Sequence, residues 1–591
     1  MKRIILSLVC FVCLWSCKEK QPSVVEANKD LASLVDQYYE KNLELFPLSA
    51  TFNGDNRYND KMYVDFTDSY HAKVKDAYQH YLDELKKIDR ETLNDEDKVS
   101  YDDFKRELEI SIEGFSFHDN YMPLNQFNSM HLMFAQLGSG SVVQPFKTVE
   151  DYDNWLKRAA VFADYADSAI VYFKKGIAAN VVLPKVLVEK MIPQMQSFVT
   201  TDVTKSLFYG PIANLPKEFS EADKKRLTDD YTKLINEKIT PSYKKIADFL
   251  QGEYLAKART TSGFSALPDG DKMYAYAARL FTTTNKTPDE IYNLGLSEVK
   301  RIRTLMDSIK NAVEFKDSLM AFFTYMNTDK KFTPYKTPKE VLDAFENIHQ
   351  RMEPQLKRLF NHVPKTPFEI RQTEDFRAAS ASAEYLQGSA DGKRPGIFYV
   401  PILYATKFNI TSGMESLFLH EAIPGHHYQI SLQQEDTLLP KFRRFGGQSA
   451  YVEGWALYCE SLGKELGLYT DPYQYMGALG DEMHRAVRLV VDAGLHSKNM
   501  TREEAIKYMR NNEPISEQGA TAEIERYMAM PAQALSYKIG ALKIRELRNK
   551  YNQTLGDKFS ISAFHDEVLG SGSLPLEILE KKMDAWAEKQ K

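Results

Sequence analysis

Apolar residues recur every three to four positions along most of this chain. Leu31, Leu34, Val35, Tyr38 and Tyr39 fall on one helical face, as do Tyr152, Trp155, Ala159, Phe162 and Tyr165. The pattern stays helical from about 25 to 276, punctuated by Pro184, Pro193 and Pro216, and it shows no repeat at a solenoid period. A loop at 262–271, containing Pro268-Asp269-Gly270, separates this part from the next. Thr287-Pro288-Asp289-Glu290 then supplies an N-cap, a first-turn proline and a capping acid, which predicts a helix to about Lys310. Thr337-Pro338-Lys339-Glu340 predicts a second, to about Phe360.

Between Pro364 and Asn409 the pattern changes. The run from Ile397 to Tyr404 is the best strand candidate, and Pro401 within it cannot donate to a ladder, which predicts an edge position. Such an edge could pair with an extended peptide; a buried loop of β character is the alternative. Helical periodicity returns at 449–466, 481–496, 501–511, 521–530 and 531–552, with two more helices in the tail. The expected fold class is mainly α, with a small β element beside the helix that carries the candidate site.

At 591 residues the chain exceeds what one core organises, so two lobes are expected, 29–270 and 271–591. A net charge of −6 without a basic stripe argues against nucleic acid as a partner. Lys2 and Arg3 precede the apolar run Ile4 to Leu14, too short to span a bilayer, which predicts an export signal over 1–16. Leu14-Trp15-Ser16-Cys17 resembles a bacterial lipobox. Cys17 is therefore the expected lipidation site, 17–28 an anchored linker, and the lipid the only membrane contact. Trp15 stands where a small residue is usual, and an ordinary signal cut nearby is the alternative. Cys10 and Cys13 leave with the signal, so Cys459 is the one body cysteine, which excludes both an internal disulfide and a multi-thiolate metal site.

His420-Glu421-Ala422-Ile423-Pro424-Gly425-His426-His427 gathers three of the twelve histidines beside a glutamate. Neutral imidazole is the commonest transition-metal ligand, and an adjacent carboxylate suits a base acting on water. Ser412-Gly413-Met414-Glu415 reads as a capping box opening the helix of His420, with Met414, Leu417 and Phe418 anchoring it. A ligand at i+4 would share the face of His420, but Pro424 stands there. In a regular helix His426 would lie about 120° off that face, and His427 about 10 Å further along the axis. Pro424-Gly425 can supply a bulge that returns His426 to the metal; His427 is the rival, as a ligand or a substrate contact. A histidine pair that merely caps a helix end is the bland alternative. Glu453 is the expected third ligand, and Glu460, seven residues on, the carboxylate holding an imidazole by its other N–H. That set leaves a position open on one Zn2+ ion, with Glu421 as base. His496, Tyr527 and Tyr537 are candidate stabilisers of the oxyanion, while Arg488 and Asp492 have the spacing of a simple i,i+4 ion pair.

These residues resemble the bacterial family called domain of unknown function 885. The matching segments are 270–276, 287–291 with 295–299, Asp391 to Gly396, His420 to His427, Glu453 to Glu460, Asp492 to His496, and Tyr527 through Gly540. They cover the C-terminal half closely and the N-terminal half only in its helical character. The resemblance implies a two-lobed, mainly helical metallopeptidase of the gluzincin kind. It places His420, His426 and Glu453 on zinc and Glu421 as base. The chain departs from the family wording at Pro401, where asparagine is expected, and at Ala532, where glycine is expected. The expected function is zinc-dependent hydrolysis of peptides by an exported lipoprotein of the bacterial envelope. Hydrolysis of other amides or esters, or peptide binding without turnover, are the alternatives.

Overall fold

The computed structural model describes residues 26–373, 382–389 and 394–591. The signal, Cys17 and Asp391-Gly392-Lys393 lie outside them. Helix makes up 68% and strand 3%, so the protein is mainly α, as the periodicity predicts.

In the N-terminal half, helices show one apolar face each. Helix Val149–Ala160 starts at a complete capping box between Thr148 and Asp151 and buries Tyr152, Trp155, Arg158 and Ala159. Its apolar face joins a core drawn entirely from 62–254. A larger core, around Trp455 and Phe418, is drawn from 274–587. Two smaller cores join the halves: Phe442 packs among Leu31, Tyr38 and Phe104, and Leu187 among residues of 299–534.

The start signals at 287 and 337 operate. Thr287 and Glu290 form both arms of a capping box ahead of Pro288–Ala312, and Thr337 accepts from the Glu340 N–H ahead of Pro338–Leu359. Other boundaries shift. The helix expected from Ser449 ends at Glu460, that around Arg488 reaches back to Pro472, and the one expected from Pro531 starts at Ser536.

The β element is a three-stranded sheet in the order β1-β3-β2. β1 (Phe368–Gln372) runs parallel to β3 (Gly396–Val400), pairing Phe368 with Gly396. β2 (Glu384–Leu386) runs antiparallel to β3, pairing Tyr385 with Phe398. The edge placement of the 397–404 run is therefore corrected: it is the central strand. The ladder ends at Val400, so Pro401 falls one residue beyond it and its missing N–H costs no bond. Tyr385 places β2 against His427.

Candidate metal centre

The helix of His420 runs Met414–Glu421, but no capping box starts it. Gly413 takes its place at φ 78°, where a Cβ would stand 2.2 Å from the Asp481 Oδ2. The Ser412 hydroxyl instead donates to the Asn409 carbonyl at 2.6 Å, and Glu415 accepts from Arg351 at 2.6 Å and from the Tyr469 N–H at 2.7 Å. Met414 and Phe418 are buried in the large core, with Leu417 packed against it.

A bulge within one helix is likewise corrected: the chain stops one helix at Glu421 and begins another, His426–Glu435, at His426. Two features hold the joint. A Cβ on Gly425 would lie 2.0 Å from the His420 carbonyl oxygen and 2.3 Å from that of Leu419, so only glycine lets the backbones meet this closely. The buried Trp455 donates its indole N–H to the Pro424 carbonyl at 2.9 Å.

The joint swings His426 beside His420, with ring centroids 4.9 Å apart and planes at 90°. Donor atoms of His420, Glu421 and His426 lie within 4.8 Å of one another. Glu453, on helix Ser449–Glu460, reaches both rings: its Oε2 is 3.5 Å from Nε2 of His420 and 3.7 Å from Nε2 of His426. On the far side of His420, Nδ1 is 2.7 Å from the Glu460 Oε1. Donation by Nδ1–H there fixes the ring so that Nε2 faces Glu453 and His426, where it would meet an ion once its own proton is displaced.

The electrostatics favour a cation. Burial alone would depress His420, but its hydrogen bonds to Glu453 and Glu460 outweigh that and carry it to about 10. Burial would raise Glu453, yet the bond to His420 and the charges of both histidines hold it at about 2. His426, buried without such a bond, drops to about 4 and stays neutral at pH 7. Burial lifts the Glu421 carboxyl to about 7, within reach of proton exchange near neutrality, against the smaller opposing pull of His420 and of the Tyr385 backbone in β2. Three carboxylates around two imidazoles, one of them already neutral at pH 7, match what a divalent ion needs.

His427 faces elsewhere. Its Nδ1 meets the Tyr385 hydroxyl at 2.9 Å, and its ring packs on Phe368. The three oxyanion candidates also part. His496 is fully buried, with Nδ1 accepting from the Phe264 N–H at 3.1 Å and Nε2 on the Tyr527 carbonyl at 3.0 Å, so neither nitrogen is free to meet a substrate. Burial lowers it to about 3, matching a neutral structural ring. The Tyr527 hydroxyl donates to Glu523 at 2.5 Å and accepts from Arg488 Nε at 2.9 Å. Tyr537 alone faces the centre: its ring stacks at 17° on His420, and its hydroxyl helps hold Glu453 ionised.

Tyr537 is delivered by helix packing. A Cβ on Gly454 would lie 2.5 Å from the Gly540 Cα, and one on Gly540 would lie 1.8 Å from the Ala450 carbonyl oxygen. The Glu453 helix and the Tyr537 helix (Ser536–Leu555) therefore cross backbone to backbone. Arg488 lies over the Tyr537 ring at 4.7 Å and pairs with Glu523 at 3.2 Å rather than with Asp492. Asp492 instead accepts from the Tyr274 hydroxyl at 2.6 Å and the Ala532 N–H at 3.0 Å, which removes the i,i+4 ion pair. Ala532 itself holds φ 68°, a conformation suited to the glycine expected there.

Sequence reasoning passed over Tyr385, Glu523 and Arg485. Arg485 lies 3.9 Å from Glu460 and 3.6 Å from Asp481, with its buried Nε unpartnered. The available signal was a set of charged residues, Asp481, Arg485 and Arg488, on a helix buried continuously from Ala486 to His496. Tyr385 gave none.

A family model described as "Bacterial protein of unknown function (DUF885)" matches residues 47–583, and the chain belongs to that family. Its fold is similar to a crystal structure titled "putative lipoprotein from Colwellia psychrerythraea", 27% identical. That match has a TM-score of 0.86 and covers 96% of this chain and 100% of the other. A "putative lipoprotein of unknown function from Shewanella oneidensis" shares the fold at 19% identity and a TM-score of 0.72, over 93% of this chain and 99% of its own. No curated protein matches. Among the described residues, no helix is long and apolar enough to cross a membrane.

Proposed function

We propose that the protein is a zinc-dependent peptide hydrolase of the gluzincin kind, held at the bacterial envelope by lipid on Cys17. The descriptions of its structural relatives as lipoproteins support the anchor. The observation that carries the chemistry is the single Glu453 oxygen standing 3.5 and 3.7 Å from the Nε2 atoms of two histidines on different helices.

His420, His426 and Glu453 would hold one Zn2+, and Glu460 would fix the His420 ring by its Nδ1. A bound zinc ion supplies Lewis acidity, acidifying water and polarising a carbonyl. Glu421 takes the proton of the attacking water and passes it to the leaving amine; a carboxyl lifted to about 7 suits both steps. The Tyr537 hydroxyl, on the ring stacked against His420, would donate to the oxyanion as charge develops. Arg488, over the face of its ring, fixes the ring's position. β2 lies beside Glu421 and offers an extended peptide a strand edge in place of the one expected at 397–404.

Metal analysis and a peptide-library digest read by mass spectrometry test this together. One zinc per chain is expected in the wild type and in His427→Ala, and almost none in His426→Ala. Glu421→Gln should keep the metal and cut turnover by roughly 10²–10⁴-fold. Turnover of model amides or esters with no peptide bond cleaved would replace the peptide substrate. Full zinc in His426→Ala would overturn the ligand set.

A further inference from the structure

Leu438 is 93% exposed, more than any other large apolar side chain among the described residues. One bare leucine is ordinary on a surface, but this one is held on a fixed base. The turn that carries it, 436–440, joins helix His426–Glu435 to helix Lys441–Arg444. Its own N–H donates to the Asp436 Oδ1 at 2.9 Å, and the Pro440 carbonyl accepts from the Arg444 N–H at 2.8 Å. The neighbouring Leu439 is buried and packs beside Gly572. Val363, 58% exposed, is the next most exposed aliphatic side chain. Two residues after it, the N–H groups of Lys365 and Thr366 donate to Glu435 at 2.9 and 2.7 Å. Glu435 thus ties the segment of Val363 to the base of the Leu438 turn.

A groove of about 680 Å³ connects this turn to the point where the described chain begins: Leu438 and Leu439 line it together with Ala27, Leu31 and Val35. The Asn28 N–H donates to Asp97 at 2.7 Å and pins that entry. Cys17 precedes Glu26 by nine residues, a reach of at most about 30 Å. Lipid on Cys17 would therefore tether the molecule by the side that bears Leu438, a step that rests on the proposed anchor. Four carboxylates border the groove. Asp36 pairs with Lys441 at 3.0 Å and Glu96 with Arg443 at 3.6 Å. Asp97 and Asp436 accept backbone N–H groups and pair with no cation among the described residues. Two unpaired negative charges are repelled by an anionic bilayer and suit headgroups that carry an ammonium.

We propose that the face bearing Leu438 and Val363 seats on a bilayer of zwitterionic aminophospholipid, as a second membrane contact besides the lipid. The Leu438 side chain inserts among the headgroups, and Asp97 and Asp436 meet their ammonium groups. One leucine alone binds a bilayer weakly. An anchor changes that, because it keeps the face at the surface at high effective concentration, where a weak insertion suffices to orient the protein.

The test uses the mature chain with a histidine tag in place of Cys17, tethered to phosphatidylethanolamine vesicles through a nickel-chelating lipid. Leu438→Cys, Val363→Cys and, as a control on helix Phe162–Ala179, Val171→Cys each receive a fluorophore; Cys459 is fully buried and stays. Quenching by a nitroxide carried on the lipid reads contact. It is expected to be at least about three-fold stronger at 438 than at 171, with 363 between them. Leu438→Asp should bring the signal at 363 down to that of the control, which excludes insertion driven by the dye. Replacing the phosphatidylethanolamine by phosphatidylglycerol should weaken quenching at 438. Equal quenching at all three sites, a signal at 363 that survives Leu438→Asp, or stronger quenching on the anionic lipid would each overturn the proposal. Intact-mass analysis of the membrane-purified protein reads the anchor separately: Cys17 without lipid would sink that reading and leave the labelling result standing.

Discussion

Helix Val149–Ala160 and helix Ser449–Glu460 have the same length, 12 residues, and opposite logic. The first buries one face and turns the other to water, where Asp153 pairs with Arg226 at 2.8 Å. The second buries an unbroken run from Gly454 to Glu460. On the first, a carboxylate is solvated and needs nothing else. On the second, Glu460 is kept from water and Glu453 is half-buried, and both turn to partners inside the protein, His420 and His426. A helix enclosed on every side is where a charged residue marks chemistry.

Substitutions on the two helices and their neighbours can break or sharpen that contrast. Gly540→Ala forces a methyl into the Ala450 carbonyl and should destabilise by about 3 kcal/mol in urea unfolding. An unchanged midpoint would mean the helices are free to separate. Glu460→Gln should weaken zinc binding about ten- to a hundred-fold in a chelator competition while the fold persists, since it loosens the hold on His420. Ala532→Gly relieves a left-handed backbone and should stabilise by about 1 kcal/mol, read as a higher melting temperature. Asp153→Asn, on the solvated helix, should shift stability by no more than about 0.5 kcal/mol, a difference within error in the same melt. A large effect there would erase the distinction between the helices.

What the sequence disclosed follows the same division. Solvated helices announce themselves by period and cap, so those starting at Thr287 and Thr337 were readable in place. Local chemistry also located the break at Pro424-Gly425. Its form was not readable, because it depends on Trp455 reaching the Pro424 carbonyl from another helix. The same holds for Glu415, drawn from a cap to Arg351 and Tyr469, and for Asp492, drawn from Arg488 to Tyr274. His496 was a plausible donor by spacing alone; only Phe264 and the Tyr527 carbonyl reveal that both its nitrogens are taken. β3 was recognisable as a strand, but its central position is set by β1 and β2 arriving from outside its own segment.

Because His420 and His426 sit on separate helices joined by a short hinge, the interval between them is released from counting turns. Pattern searches tuned to one fixed interval would pass over such a pair. A search for an indole clasping a proline carbonyl, next to a glycine too crowded to accept a methyl, would find it whatever the number of residues in between.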